Sequence, residues 1–74
     1  MEQELRKILA RNIKVERTKR GLTQEGLAEI ASISTKHITK IETCRVTPSI
    51  FLIYKIAKAM NISIDILVKK EEVS

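Results

Sequence analysis

Apolar residues recur along this chain at the spacing of helices. Leu5, Ile8, Leu9, Asn12 and Ile13 keep the i, i+3, i+4 rhythm that gathers side chains on one helix face. They predict a first helix from about Leu5 to Arg20, stopped by Gly21. Its last turn holds Arg17, Lys19 and Arg20, which suits the negative end of the helix dipole. Thr23 is a good N-cap for a second helix, Gln24 to Ala31, with Leu27, Ala28 and Ala31 on a shared face. Gly26 costs that helix about 1 kcal/mol relative to alanine. Ser32 and Ile33 make a turn. Ser34 caps a third helix from Thr35 to about Thr43, with Ile38 and Ile41 inward. Cys44 to Thr47 reads as a loop. Pro48 suits a first helical turn, with either Thr47 or Ser49 as the cap. The fourth helix runs to Met60 with Ile50, Ile53, Ala57 and Met60 inward, and Asn61 provides a left-handed stop. Ser63 caps a short fifth helix, Ile64 to Val68, with Asp65 in its first turn. Ile62 to Ile66 alternates like a strand, but has no second strand to pair with, so it reads as helix. The expectation is a compact all-α, five-helix domain over residues 1–74. Its folded core spans about 5–69, and 70–74 form a charged tail.

Composition narrows the function. Seventy-four residues make one domain. A domain of this size buries only about 60% of its unfolded surface. One cysteine cannot close an internal disulfide, and one cysteine with one histidine cannot supply a four-ligand zinc site. Stability must come from helix packing, with or without a partner subunit. No metal, cofactor or small-molecule ligand is expected. A single His, a single Cys and no glycine-rich loop are poor material for an enzyme. No apolar run approaches the roughly 20 residues of a membrane span, so no membrane partner is expected. The acidic start Met1-Glu2-Gln3-Glu4 is unlike the basic opening of a signal peptide. A lone cysteine suits a reducing cytosol. Together these predict a cytoplasmic protein. Lys and Arg number 14 against 9 Asp and Glu, a net charge of +5. That balance favours a polyanionic partner, nucleic acid first, hence a nucleoid-associated location. Aromatic residues are only 3% of the chain, too few to stack single-stranded bases, which favours duplex DNA.

The chemistry concentrates between Gly21 and Glu42. Two short helices about three residues apart have the spacing of a helix-turn-helix. In such a unit the second helix enters the major groove and the first crosses the backbone. Thr35, Lys36, His37, Thr39 and Lys40 point away from Ile38 and Ile41. Lysine can donate to guanine O6 and N7, and threonine can reach a base edge or a thymine methyl. The one acid on this helix, Glu42, sits at its far end. Taken alone, Lys36 and Lys40 would be a solvated face; inside this motif they become readers of bases.

The series Ile13-Lys14-Val15-Glu16-Arg17, Gly21-Leu22-Thr23-Gln24-Glu25-Gly26-Leu27-Ala28, Ile33-Ser34, Ile38-Thr39-Lys40-Ile41-Glu42, Pro48-Ser49, Lys55-Ile56-Ala57-Lys58-Ala59-Met60 and Ile62-Ser63-Ile64-Asp65 resembles the phage-repressor-like (Xre family) helix-turn-helix regulators. The match covers about residues 9–68, with its intervals intact. The length most resembles small stand-alone repressors and the controller proteins of restriction–modification systems. The resemblance implies a lambda-repressor-like fold and a DNA-binding transcriptional regulator. It implies that Gln24 contacts a phosphate and supports the third helix. Thr35, Lys36 and Lys40 match base-reading positions, with His37 beside them. Ser34 matches the N-cap, whose exposed helix start suits phosphate. Arg45 matches a basic loop position that contacts the backbone. Arg17 and Glu42 match a salt bridge between the first and third helices. The chain departs from the pattern where glycines are usual, at Ser32 and Cys44, and at Gly26, where a charge is usual. Phe51, Leu52 and Ile66 are apolar where relatives are polar. Phe51 and Leu52 fall outside the inward stripe of the fourth helix, so the three predict a homodimer interface. A dimer would bind a palindromic operator. The rival reading is a protein-interaction module of antitoxin type that uses the same apolar patch. A structured-RNA binder is a weaker one.

Overall fold

The computed structural model describes residues 1–70, and among them all regular structure is helical. The five helices are α1 Glu2–Lys19, α2 Gln24–Ala31, α3 Thr35–Glu42, α4 Ile50–Ala59 and α5 Ile64–Val68. α1 packs on α3 and α5, α2 on α3 and α4, and α4 on α5. The core gathers Leu9, Ile13, Leu27, Ala28, Ile38, Ile41, Ile53, Ile56, Ala57, Met60 and Leu67. Every helix therefore gives at least one buried apolar residue to a single interior, and the all-α, five-helix expectation holds.

Thr23, Ser34 and Ser49 cap α2, α3 and α4, their hydroxyls accepting from the amides of Gly26, His37 and Leu52. Those bonds satisfy amides that the helix itself cannot. α1 starts three residues before Leu5. Glu2 and Glu4 lie in its first turn, where the dipole favours acids, and Leu5 N donates to Met1 O at 3.1 Å. No apolar rhythm marks that turn, so periodicity alone does not reveal it.

Four helices end alike. Gly21, Ser32, Cys44 and Asn61 have φ of 67, 58, 62 and 57°. The next amide in each case returns to a carbonyl of the last helical turns: Leu22 to Arg17, Ile33 to Ala28, Arg45 to Lys40 and Ile62 to Ala57. Leu22, Ile33 and Ile62 then pack on the core, which completes the usual left-handed stop. Only one of the four residues is glycine. Each β-carbon held in this region costs on the order of 1 kcal/mol.

Two expectations need correction. Ile50 is 66% exposed, and Ile56, fully buried, takes its place in the inward stripe. Pro48 is buried but precedes the Ser49 cap, so it lies outside α4 rather than in its first turn. Lys69, the last residue of the expected core, is held: the Asn12 amide nitrogen donates to the carbonyls of Leu67 at 2.9 Å and Lys69 at 2.8 Å. Lys70 Nζ lies 3.6 Å from Glu4 Oε2. The remaining tail positions, 71–74, lie outside the described residues.

Candidate nucleic-acid interface

α2 and α3 are joined by residues 32–34 alone. The left-handed Ser32 turns the chain, and Ser34 starts α3 with its hydroxyl accepting from His37 N at 3.1 Å. Ile38 and Ile41 anchor α3 in the core. Its outer face then follows from helix geometry: Lys36 and Lys40, four residues apart, are both exposed. Arg45, just beyond the end of α3, is exposed as well. Thr35 and His37 are half-buried. The exposed charges of α3 are thus both positive.

Thr39 departs from the sequence reading, which had it pointing outward. It is half-buried, and its hydroxyl is shared between Gln24 Oε1 at 2.7 Å and Thr35 O at 3.1 Å. Gln24 turns its amide nitrogen the other way, donating to Glu42 Oε1 at 3.1 Å. Glu42 is forked by Arg17: Nε reaches Oε2 at 2.8 Å and Nη2 reaches Oε1 at 3.0 Å. Arg17 Nη1 also donates to Leu22 O at 2.8 Å. Thr39, Gln24, Glu42 and Arg17 therefore form one chain of hydrogen bonds joining α1, α2 and α3. The hydrogen bonds to Glu42 raise the Arg17 pKa above its ordinary value, and burial opposes them. Glu42 lies at the C-terminal end of α3, where the dipole disfavours an acid, and the guanidinium compensates. Periodicity cannot find this network, because it links polar residues of three helices across long sequence separations.

Gln24 accordingly links α2 to two residues of α3. Other cations are bound at the flanks. Arg20 Nε donates to Met60 O at 3.1 Å, and Lys55 Nζ to Ser32 O at 3.1 Å. Glu16 sits between Lys19 and Arg20 at 3.3 and 2.9 Å. The Arg20 hydrogen bond holds its pKa below the ordinary value, against burial, with help from Lys19.

The proposed dimer residues lie elsewhere. Phe51 is 66% exposed and Ile66 39%, whereas Leu52 is half-buried. Ile50 and Tyr54 are exposed on α4 too. Lys55 Nζ stands 5.6 Å from the centre of the Phe51 ring, and Lys58 Nζ 5.8 Å from that of Tyr54. Among the described residues no helix is long and apolar enough to cross a membrane, and no cluster of His, Cys, Asp and Glu could hold a metal ion.

A braced pair of helices with a three-residue turn and a basic outer face defines a DNA-binding domain of the kind transcriptional regulators carry. The chain belongs to the helix-turn-helix family HTH_3, whose pattern matches residues 13–67. Its fold superposes on a hypothetical transcription factor, NHTF, from Neisseria with a TM-score of 0.85 and 29% identity. That match covers 92% of this chain and 78% of the other. An HTH_3 family transcriptional regulator from Vibrio cholerae gives a TM-score of 0.88 at 24% identity, a likeness of fold. It covers 90% of this chain and 38% of that protein. Comparison with curated protein sequences gives no match.

Proposed function

We propose that this chain is a sequence-specific regulator that binds a palindromic or near-palindromic DNA operator as a homodimer, with α3 in the major groove. The observation that carries the reading is the outer face of α3. Lys36 and Lys40 stand exposed on a helix whose one acid, Glu42, is turned inward and engaged by Arg17 and Gln24. Lysines on such a face reach guanine acceptors, while Thr35 and His37 beside them supply shorter polar contacts. Arg45 and the capped start of α3 at Ser34 address phosphates, which give affinity without sequence information. The Gln24 brace holds the reading helix at a fixed angle.

The dimer reading rests on the exposed apolar surface of Phe51 and Ile66, with Leu52 half-buried, to which Ile50 and Tyr54 add. Clustered exposed apolar groups mark interfaces. Pairing two such domains sets their reading helices about 34 Å apart, one turn of duplex. The same patch supports the rival, a protein-binding module of antitoxin type.

Selection from a random duplex pool tests the proposal. Enrichment of a two-fold symmetric site supports it. A pool that shows no enrichment leaves the protein-binding module as the better reading.

A further inference from the structure

The connection between α3 and α4, residues 43–49, is the longest in the fold and carries Arg45. Among the described residues no backbone hydrogen bond engages 46–48. Beyond the Arg45 amide, which returns to the Lys40 carbonyl, its polar anchor is a side chain. The Thr47 hydroxyl accepts from Arg6 Nε at 2.6 Å and donates to Glu2 Oε2 at 2.9 Å. Arg6 Nη2 closes the triangle, 3.6 Å from the same Glu2 oxygen. One residue before Arg45, the Cys44 thiol points to the Arg6 carbonyl at 3.8 Å. The loop is therefore fastened to the first two turns of α1 on both sides of Arg45. Glu2 and Arg6 lie ahead of residue 13, where the family match begins.

We propose that the first turns of α1 form a splint, built on Glu2, Arg6 and Thr47, that positions Arg45 for the DNA backbone. The inference rests on the DNA-binding reading above. The Thr47 hydroxyl is engaged as donor and acceptor at once, so it cannot rotate without breaking a bond. An exposed arginine on an untethered loop must be ordered each time DNA binds. On the splint, that ordering is already done when the chain folds. Glu2, Arg6 and Thr47 are positioning residues; Arg45 makes the contact.

Thr47→Val keeps the side-chain volume and removes both hydrogen bonds. It should weaken binding to the selected duplex about fivefold, the factor that corresponds to ordering one backbone residue. Its salt dependence should fall toward that of Arg45→Ala, which loses about one unit of slope. Thr47→Ser should restore both, and Glu2→Gln, at a solvent-exposed site, should reproduce part of the loss. Thr47→Val added to Arg45→Ala should do nothing further, while added to Lys36→Ala its effect should be additive. Amide exchange at residues 44–47 should quicken in Thr47→Val with the thermal midpoint unchanged. Unchanged affinity in Thr47→Val, or losses that simply add to those of Arg45→Ala, would overturn the splint. If the wild-type chain selects no duplex, the DNA reading fails by itself. Amide exchange then decides the splint separately: unchanged exchange at 44–47 refutes it.

Discussion

Breaking the Arg17–Glu42 pair should come close to unfolding the domain. The Glu42 side chain is 3% exposed and that of Arg17 11%, so both charges are largely withdrawn from water. Arg17→Met leaves a carboxylate at the unfavourable end of α3 with Gln24 as its one remaining donor. Glu42→Leu leaves a guanidinium with the Leu22 carbonyl, and deprives Gln24 of its acceptor. Stranding one member of a buried pair costs about 3–5 kcal/mol. A domain of 74 residues, at roughly 0.05–0.15 kcal/mol per residue, has only about 4–11 kcal/mol in all. Either single variant should therefore lose much of its stability. The double variant Arg17→Met with Glu42→Leu removes both charges and replaces them with apolar volume, so it should be more stable than either single one. Urea unfolding of all four proteins, followed by circular dichroism in a stabilising osmolyte, gives the cycle. A coupling of about 2–4 kcal/mol is expected. A coupling under about 0.5 kcal/mol, the scale of an exposed pair, would refute the reasoning.

Ser32→Gly and Cys44→Gly each relieve a left-handed β-carbon and should raise stability by up to about 1 kcal/mol, read as a higher urea midpoint; a lowered midpoint would contradict the strain argument. Lys36→Ala and Lys40→Ala should each cost about 1–3 kcal/mol at the selected site and relax particular bases, whereas full affinity with an unchanged selected sequence in both would mean that another element reads the DNA. Phe51→Glu should yield folded monomers that lose operator affinity, checked by sedimentation; a wild-type chain monomeric at high micromolar concentration would remove the dimer. Glu16 titrates below its ordinary 4.5 in the folded chain, so its contribution is present above that pH and is lost as pH falls through the lowered value. Glu16→Gln should accordingly flatten the acid limb of a stability-against-pH curve, and an unaltered limb would count against it.

The helices were legible wherever a cap and an apolar rhythm agreed. Thr23, Ser34 and Asn61 announce ends that the backbone then adopts. α4 was less legible because Ile50, Ile53 and Ile56 offer competing stripes one turn apart. Pro48, just ahead of the cap, is buried, while Ile50 is exposed. The outer face of α3 was legible in Lys36 and Lys40, since Ile38 and Ile41 fix the opposite side. Thr39 was not, because a short polar residue at a face boundary turns toward whichever partner the next helix offers, and Gln24 is fifteen positions away. The Glu2–Arg6–Thr47 cluster was illegible for the same reason, with more than forty positions between Arg6 or Glu2 and the loop.

The left-handed stops also determine where this chain can change in length. Three of its four connections, 20–23, 32–34 and 60–63, are little more than a turning residue and the next cap. An extra residue in 32–34 that slid into α3 would swing its outer face by about 100° and carry Lys36 and Lys40 off the groove. The α3–α4 connection alone has slack, and α1 takes up that slack at Thr47. A lineage of such domains could therefore vary in length almost nowhere between α1 and α5.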